Sequence, residues 1–164
     1  MILGMSTQIF TLLHVILSLA GIGAGLAMIF ALAGNKFSRG LHVFFMSTTA
    51  LTSITGFLFP FHGVTPGIVL GILSIIVLLL ADIALYGGKL NGGWRGTYVI
   101  CVALAEWFNV FVLFAQLFAK VPALKAIAPT QSSPAFGVTQ LVVLVAFLAI
   151  TIRAFKGFRR ASAS

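Results

Sequence analysis

Glu106 stands in the run CVALAEWFNVFVLFAQLF, residues 101–118, which holds no other charged residue. Asn109 and Gln116 follow it at spacings that put all three on one stripe of a helix. A carboxyl with carboxamide neighbours can hold and release a proton, or bind a small polar species. At the centre of a bilayer an ionised carboxylate costs roughly 2.5–3.5 kcal/mol or more. The expected state is therefore a neutral Glu106, hydrogen-bonded to a hydroxyl such as Thr52. An intramembrane carboxyl is a functional-site candidate; structural hydrogen bonding is the competing explanation.

The hydroxyls come from a second stretch, MSTTALTSIT (46–55), which carries Ser47, Thr48, Thr49, Thr52, Ser53 and Thr55. On a helix Thr48, Thr49, Thr52, Ser53 and Thr55 form one broad polar arc, apart from Ser47. Ala50, Leu51, Ile54, Phe57 and Leu58 form the opposite, apolar face. Each hydroxyl can donate to the carbonyl one turn earlier, so it tolerates an apolar surround. The arc either lines a polar pathway or serves as helix–helix glue, whose contacts average only about 0.6 kcal/mol.

His42 and Asp82 lie at similar depth near one membrane face and could pair, or could each reach headgroup water separately. His14 and His62 lie near the other face, with Gln140 at a comparable level. Two histidines at one depth could ligate a metal or a haem iron. A His satisfied by a neighbouring polar group is the plainer alternative. Ordered by depth, His42 and Asp82, Thr48, Glu106 with Thr52, Asn109 with Thr55, Gln116, then His14 and His62 form a polar ladder across the whole membrane.

The elements that must position these residues follow from composition. The 164 residues are 60% hydrophobic and 7% charged, with a mean hydropathy of +1.17. Crossing a hydrocarbon core takes roughly 20 apolar residues. Five segments qualify: 9–33, 41–59, 68–86, 97–119 and 138–155. The expected fold is all-α, a single transmembrane domain of five helices. Ala31-Leu32-Ala33 looks like a signal-peptide cleavage site. No Lys or Arg precedes that apolar run, however, and the run is about twice the usual signal length, so it is expected to stay as span one.

The net charge of +8 would raise nucleic acid as a partner in a soluble chain. Here the charges fall by loop. Lys36, Arg39, Lys89, Arg95, Arg153, Lys156, Arg159 and Arg160 collect at one face, and Lys120 and Lys125 at the other. The positive-inside rule then predicts N-out, C-in. The basic tail is expected to meet anionic lipid headgroups, not nucleic acid.

Gly21 and Gly25, spaced GxxxG, with Gly23, Ala27 and Ala31, offer a packing face within the chain or between copies. Trp94 and Tyr98 fall where an interfacial aromatic anchor belongs. The loop 121–137, with three prolines, is the candidate external cap. Cys101 is alone, which excludes an internal disulfide and a CxxC pair; it reads as a small packing residue. No HExxH, phosphate loop or nucleophile–base pair is present.

The phrases TSITGFLFPFHGVTP, NVFVLFAQLFAKVPALKAIAPTQSSP and QLVVLV resemble a group of small uncharacterised membrane proteins of proteobacteria. The resemblance covers spans two to five and implies a bacterial inner membrane, with no activity attached. Three functions remain open at this point. The first is transport of protons, a small cation or a small polar solute, with Glu106 as the protonatable centre. The second is a redox protein holding haem or metal through His14 and His62. The third is an accessory or scaffold subunit whose polar groups only join helices. The lipid bilayer is the expected partner, with a homo-oligomer as the expected assembly.

Overall fold

Hydroxyls and prolines set where the helices start. A computed structural model describes residues 1–60, 63 and 65–159. Ser6 caps α1 (Thr7–Ala33) by accepting from the Ile9 N–H. Ser38 caps α2 (Arg39–Phe57), and Thr65 caps α3 (Pro66–Asp82), whose Pro66 occupies the first turn. A side-chain oxygen there satisfies one of the four N–H groups that a helix start leaves unpaired. Proline also opens the short α5 (Pro122–Ile127) and α6 (Pro134–Gly157). The expected cap at 121–137 is thus partly helical, because two of its three prolines sit at helix starts.

α3 runs on into a π-helical turn, Ile83–Gly87. Lys89 and Leu90 then adopt left-handed backbone conformations, and α4 (Gly93–Lys120) begins. The buried Leu90 side chain and its N–H bond to the Ala84 carbonyl (3.0 Å) hold that turn.

Among the described residues, α1, α3 with its π turn, α4 and α6 are long and apolar enough to cross a membrane. That is the pattern of a multi-pass membrane protein. Five such segments were expected, and α2 is the one that falls outside this set: its hydroxyl run dilutes its apolar character. Its 19 residues still rise about 28 Å at 1.5 Å per residue.

Side-chain contacts set the register. His14, Gly21 and Gly25 of α1 meet Thr55, Thr48 and Phe45 of α2, so the two run antiparallel along most of their length. α2 packs on α3, α3 on α4, and α4 closes back on α1. α6 lies in the groove between α1 and α4, where Phe155 meets Gly96 and the Ala33 backbone meets Gly157. The result is an up-and-down bundle with α2 and α4 facing each other across its interior. The GxxxG face is used within the chain.

Helix α2 is oriented as its periodicity predicts. Thr48, Thr49 and Ser53 are buried, while Leu51, Ile54, Phe57 and Leu58 are exposed. Ser47, which shares the angular position of Ile54 and Leu58, faces outward with them. The loop links put Lys36, Arg39, Lys89 and Arg95 at one end, called here the basic end, and Lys120 and Lys125 at the opposite end.

Candidate functional site: a buried acid below a polar cavity

Glu106 projects from α4 into the bundle and is 0% exposed. Only a glycine leaves room for it. A Cβ placed on Gly25 of α1 would overlap the Glu106 carboxyl and come within 2.7 Å of the Phe45 ring. Neither carboxyl oxygen makes a hydrogen bond of ordinary geometry; among the described residues the Asn109 carboxamide, one turn above, is the one polar side chain that acts on it. The expected bond to Thr52 is not made: the Thr52 hydroxyl oxygen is itself buried and unpartnered. Glu106 lies near the level of Phe45, and Thr52 stands about two turns further along α2. Asn109, one turn above Glu106, instead donates to the Thr49 hydroxyl (3.2 Å).

The other hydroxyls behave as apolar surroundings require. Thr48 donates to the Phe44 carbonyl (2.7 Å), Ser53 to that of Thr49 (3.1 Å) and Thr55 to that of Leu51 (2.7 Å). Each satisfies itself within its own helix, leaving its oxygen free to accept.

A cavity of about 630 Å³ opens at the end opposite the basic end. Thr7, Thr65 and Lys120 stand near its mouth; Ile22, Thr52, Ser74 and Asn109 mark its floor. From Lys120 down to Asn109 the descent is about 16 Å along α4. Gln116 lines it too, so the predicted stripe follows the cavity side of α4, from buried Glu106 through half-buried Asn109 to exposed Gln116. Glu106 lies one turn beneath the floor.

His14 also lines this cavity, and its Nδ1 is 2.8 Å from the Thr55 hydroxyl. With the Thr55 proton given to the Leu51 carbonyl, the His14 Nδ1–H donates and Nε2 is the free acceptor. His62, the other half of the expected metal or haem pair, lies outside the described residues. Among the described residues no group of three or more His, Cys, Asp or Glu side chains could hold a metal ion. Gln140 is taken up elsewhere, donating to the Phe111 carbonyl (3.1 Å) between α6 and α4.

At the basic end His42 and Asp82 do pair, with Nε2 3.1 Å from Oδ1. His42 is 1% exposed and Asp82 43%. Asp82 is the last α-helical residue before the π turn, a feature frequent at functional sites. The other ring nitrogen, Nδ1, meets the Tyr98 hydroxyl at 2.9 Å. Tyr98 is fully buried, so it is not the interfacial anchor its position in the chain implied; Trp94, 43% exposed, still fits that role. Its selection was missed because tyrosine near a membrane face normally reads as an anchor. The signal was available: Tyr98 lies two turns before Glu106 and extends the same stripe backwards.

Between Tyr98 and Glu106 the bundle interior is lined by apolar side chains. Phe45, Met28 and Val102, all fully buried, occupy that layer. Polar side chains thus meet at both ends of the bundle, with apolar ones between them. No protein-family model, curated protein or solved structure matches this chain.

Proposed function

We propose that this chain is a five-pass inner-membrane transport protein. It moves protons or a small polar solute that enters the cavity, and Glu106 is its protonatable centre. One observation carries the reading: a fully buried carboxyl without a well-formed hydrogen bond, one turn below the floor of a cavity whose largely apolar wall is studded with hydroxyl and carboxamide side chains. An unsatisfied buried polar group costs about 1–3 kcal/mol. A group that only joined helices would be expected to find partners. An unpaired acid beside a hydratable space is suited to exchanging a proton.

The charge of the cavity narrows the solute. Lys120 stands at the mouth, and Asp82 and Glu106, the chain's two acids, are not part of the lining. Protons and neutral polar solutes suit that lining better than a metal cation does. The register of α2 along α1 supports counting α2 as a fifth pass. Eight basic residues at one end against two at the other support N-out, C-in. The cavity then faces outward. A bacterial inner membrane follows from the sequence resemblance, and a homo-oligomer is part of the proposal because the bundle is small; cross-linking in native membranes tests it.

The test is flux into proteoliposomes, read by an interior pH dye and by uptake of small neutral solutes, with wild type and Glu106→Gln. Wild type is expected to conduct and Glu106→Gln to lose most of that flux. Equal flux in both would remove Glu106 from the mechanism.

A further inference from the structure

We infer that Tyr98, His42 and Asp82 form the basic-end leg of a proton route, with Phe45 as the closed gate between that leg and Glu106. The inference rests on the proposed role of Glu106 and extends it to the other side of the membrane.

The three groups make an unbroken chain from the surface of the bundle near its basic end to the interior. Asp82 is partly exposed, His42 and Tyr98 are buried, and the two links are 3.1 and 2.9 Å. The donors can be assigned. A carboxylate accepts, so the His42 Nε2–H donates to Asp82; Nδ1 is then the acceptor for the Tyr98 O–H. Each link holds one proton oriented toward Asp82. The surroundings are sparse in charge. Arg39, on the same helix as His42, lies 5.7 Å over the Tyr86 ring, and that ring is 5.9 Å from the His42 ring. Arg95 is engaged with the Phe158 carbonyl. Phe37 and Phe158 complete the aromatic shell around His42 and Tyr98.

Phe45 marks where the route is shut. It follows His42 by one turn of α2, and its ring packs beside Gly25, the glycine that accommodates the Glu106 carboxyl. It thus touches the surroundings of Glu106 and lies next to the His42 turn. Tyr98 and Glu106 are separated by about 12 Å of rise along α4, a gap that a few waters would bridge once the ring moved aside.

The transfer balances as a chain of proton hops. Glu106 releases its proton to admitted water, and the Tyr98 oxygen takes one from that water as its own passes to His42 Nδ1. The His42 Nε2 proton passes to Asp82 and then to water at the basic end. No electrons move. Reorientation of the imidazole ring and the phenol hydroxyl, with reprotonation of Glu106 from the cavity, restores the start.

The experiment uses the full chain in proteoliposomes with an interior pH dye. Tyr98→Phe keeps the ring and removes the hydroxyl; His42→Ala is assayed with and without added imidazole; Phe45→Leu opens the packed layer slightly. Thermal stability is measured on each. The expected result is a proton flux at least about tenfold lower in Tyr98→Phe and His42→Ala, in the range of lost proton-transfer groups. Imidazole should restore flux to His42→Ala, and Phe45→Leu should conduct faster than wild type. Wild-type flux in Tyr98→Phe and His42→Ala, with Glu106→Gln still inactive, would overturn the relay and leave the Glu106 reading standing. Loss of flux with lowered stability and no imidazole rescue would assign the three residues to structure and overturn it as well. A wild-type protein that moves no protons would defeat both the relay and proton conduction through Glu106.

Discussion

Replacing Glu106 by Met should make the protein more stable and inactive at once. The carboxyl is 0% exposed, and neither of its oxygens makes a hydrogen bond of ordinary geometry. Leaving a buried polar group unsatisfied costs about 1–3 kcal/mol, and an apolar side chain of similar length removes that penalty. Met is flexible enough to settle against Gly25 and Phe45 without forcing either. At about 2–4 °C of melting temperature for each kcal/mol in a chain of this size, the gain should read as several degrees. Glu106→Gln is the control. It keeps the shape and two polar atoms, so its melting temperature should stay near wild type while its flux falls. The assay is thermal unfolding in one detergent, paired with the liposome measurement on the same preparations. Clear destabilisation of Glu106→Met would refute the reasoning, because it would mean the carboxyl holds the bundle together.

The glycine series tests the cradle. Gly25→Ala should destabilise by about 1–3 kcal/mol, since its Cβ would be driven into the Glu106 carboxyl and the packed Phe45 ring. Gly21→Ala should cost less, its new atom lying 3.3 Å from the Thr48 hydroxyl. Gly23→Ala, with nothing within 4 Å, should be neutral or gain about 0.5–1 kcal/mol from helix propensity. In a Cys101→Ala background, Thr11→Cys and Thr52→Cys should react with a membrane-impermeant thiol reagent added from outside, whereas native Cys101, buried in α4, should not. Labelling of both only from the inside would reverse the proposed orientation. Purified protein is expected to show no Soret band; one that vanished in His14→Ala would revive the haem alternative.

The helices were legible because their signals are local. Apolar length marked the four helices able to cross a membrane, hydroxyls and prolines marked the helix starts, and the periodicity of α2 told its buried face from its exposed one. Glu106, Asn109 and Gln116 were assigned to one stripe because a 3.6-residue repeat allows little else. His42 and Asp82 were placed at one depth by counting residues, but counting could not join them.

Partnership was the part that needed three dimensions. Whether Glu106 met Thr52 depended on the register of α2 against α4, which neither helix encodes alone; Thr49 is already level with Asn109, so Thr52 lies beyond the carboxyl and the bond is absent. Tyr98 changed from a surface anchor to a buried link because α2 brings His42 against it. Gly25 changed from a packing glycine to the seat of a carboxyl because α4 crosses α1 at that turn. The sequence alone determined an apolar, helical, membrane-crossing chain with its charges sorted to two ends, since each of those properties is set by neighbours a few residues apart. Only the tertiary structure decided which polar atoms meet and which stay unpaired, since that depends on ångström-scale distances between helices far apart in the chain.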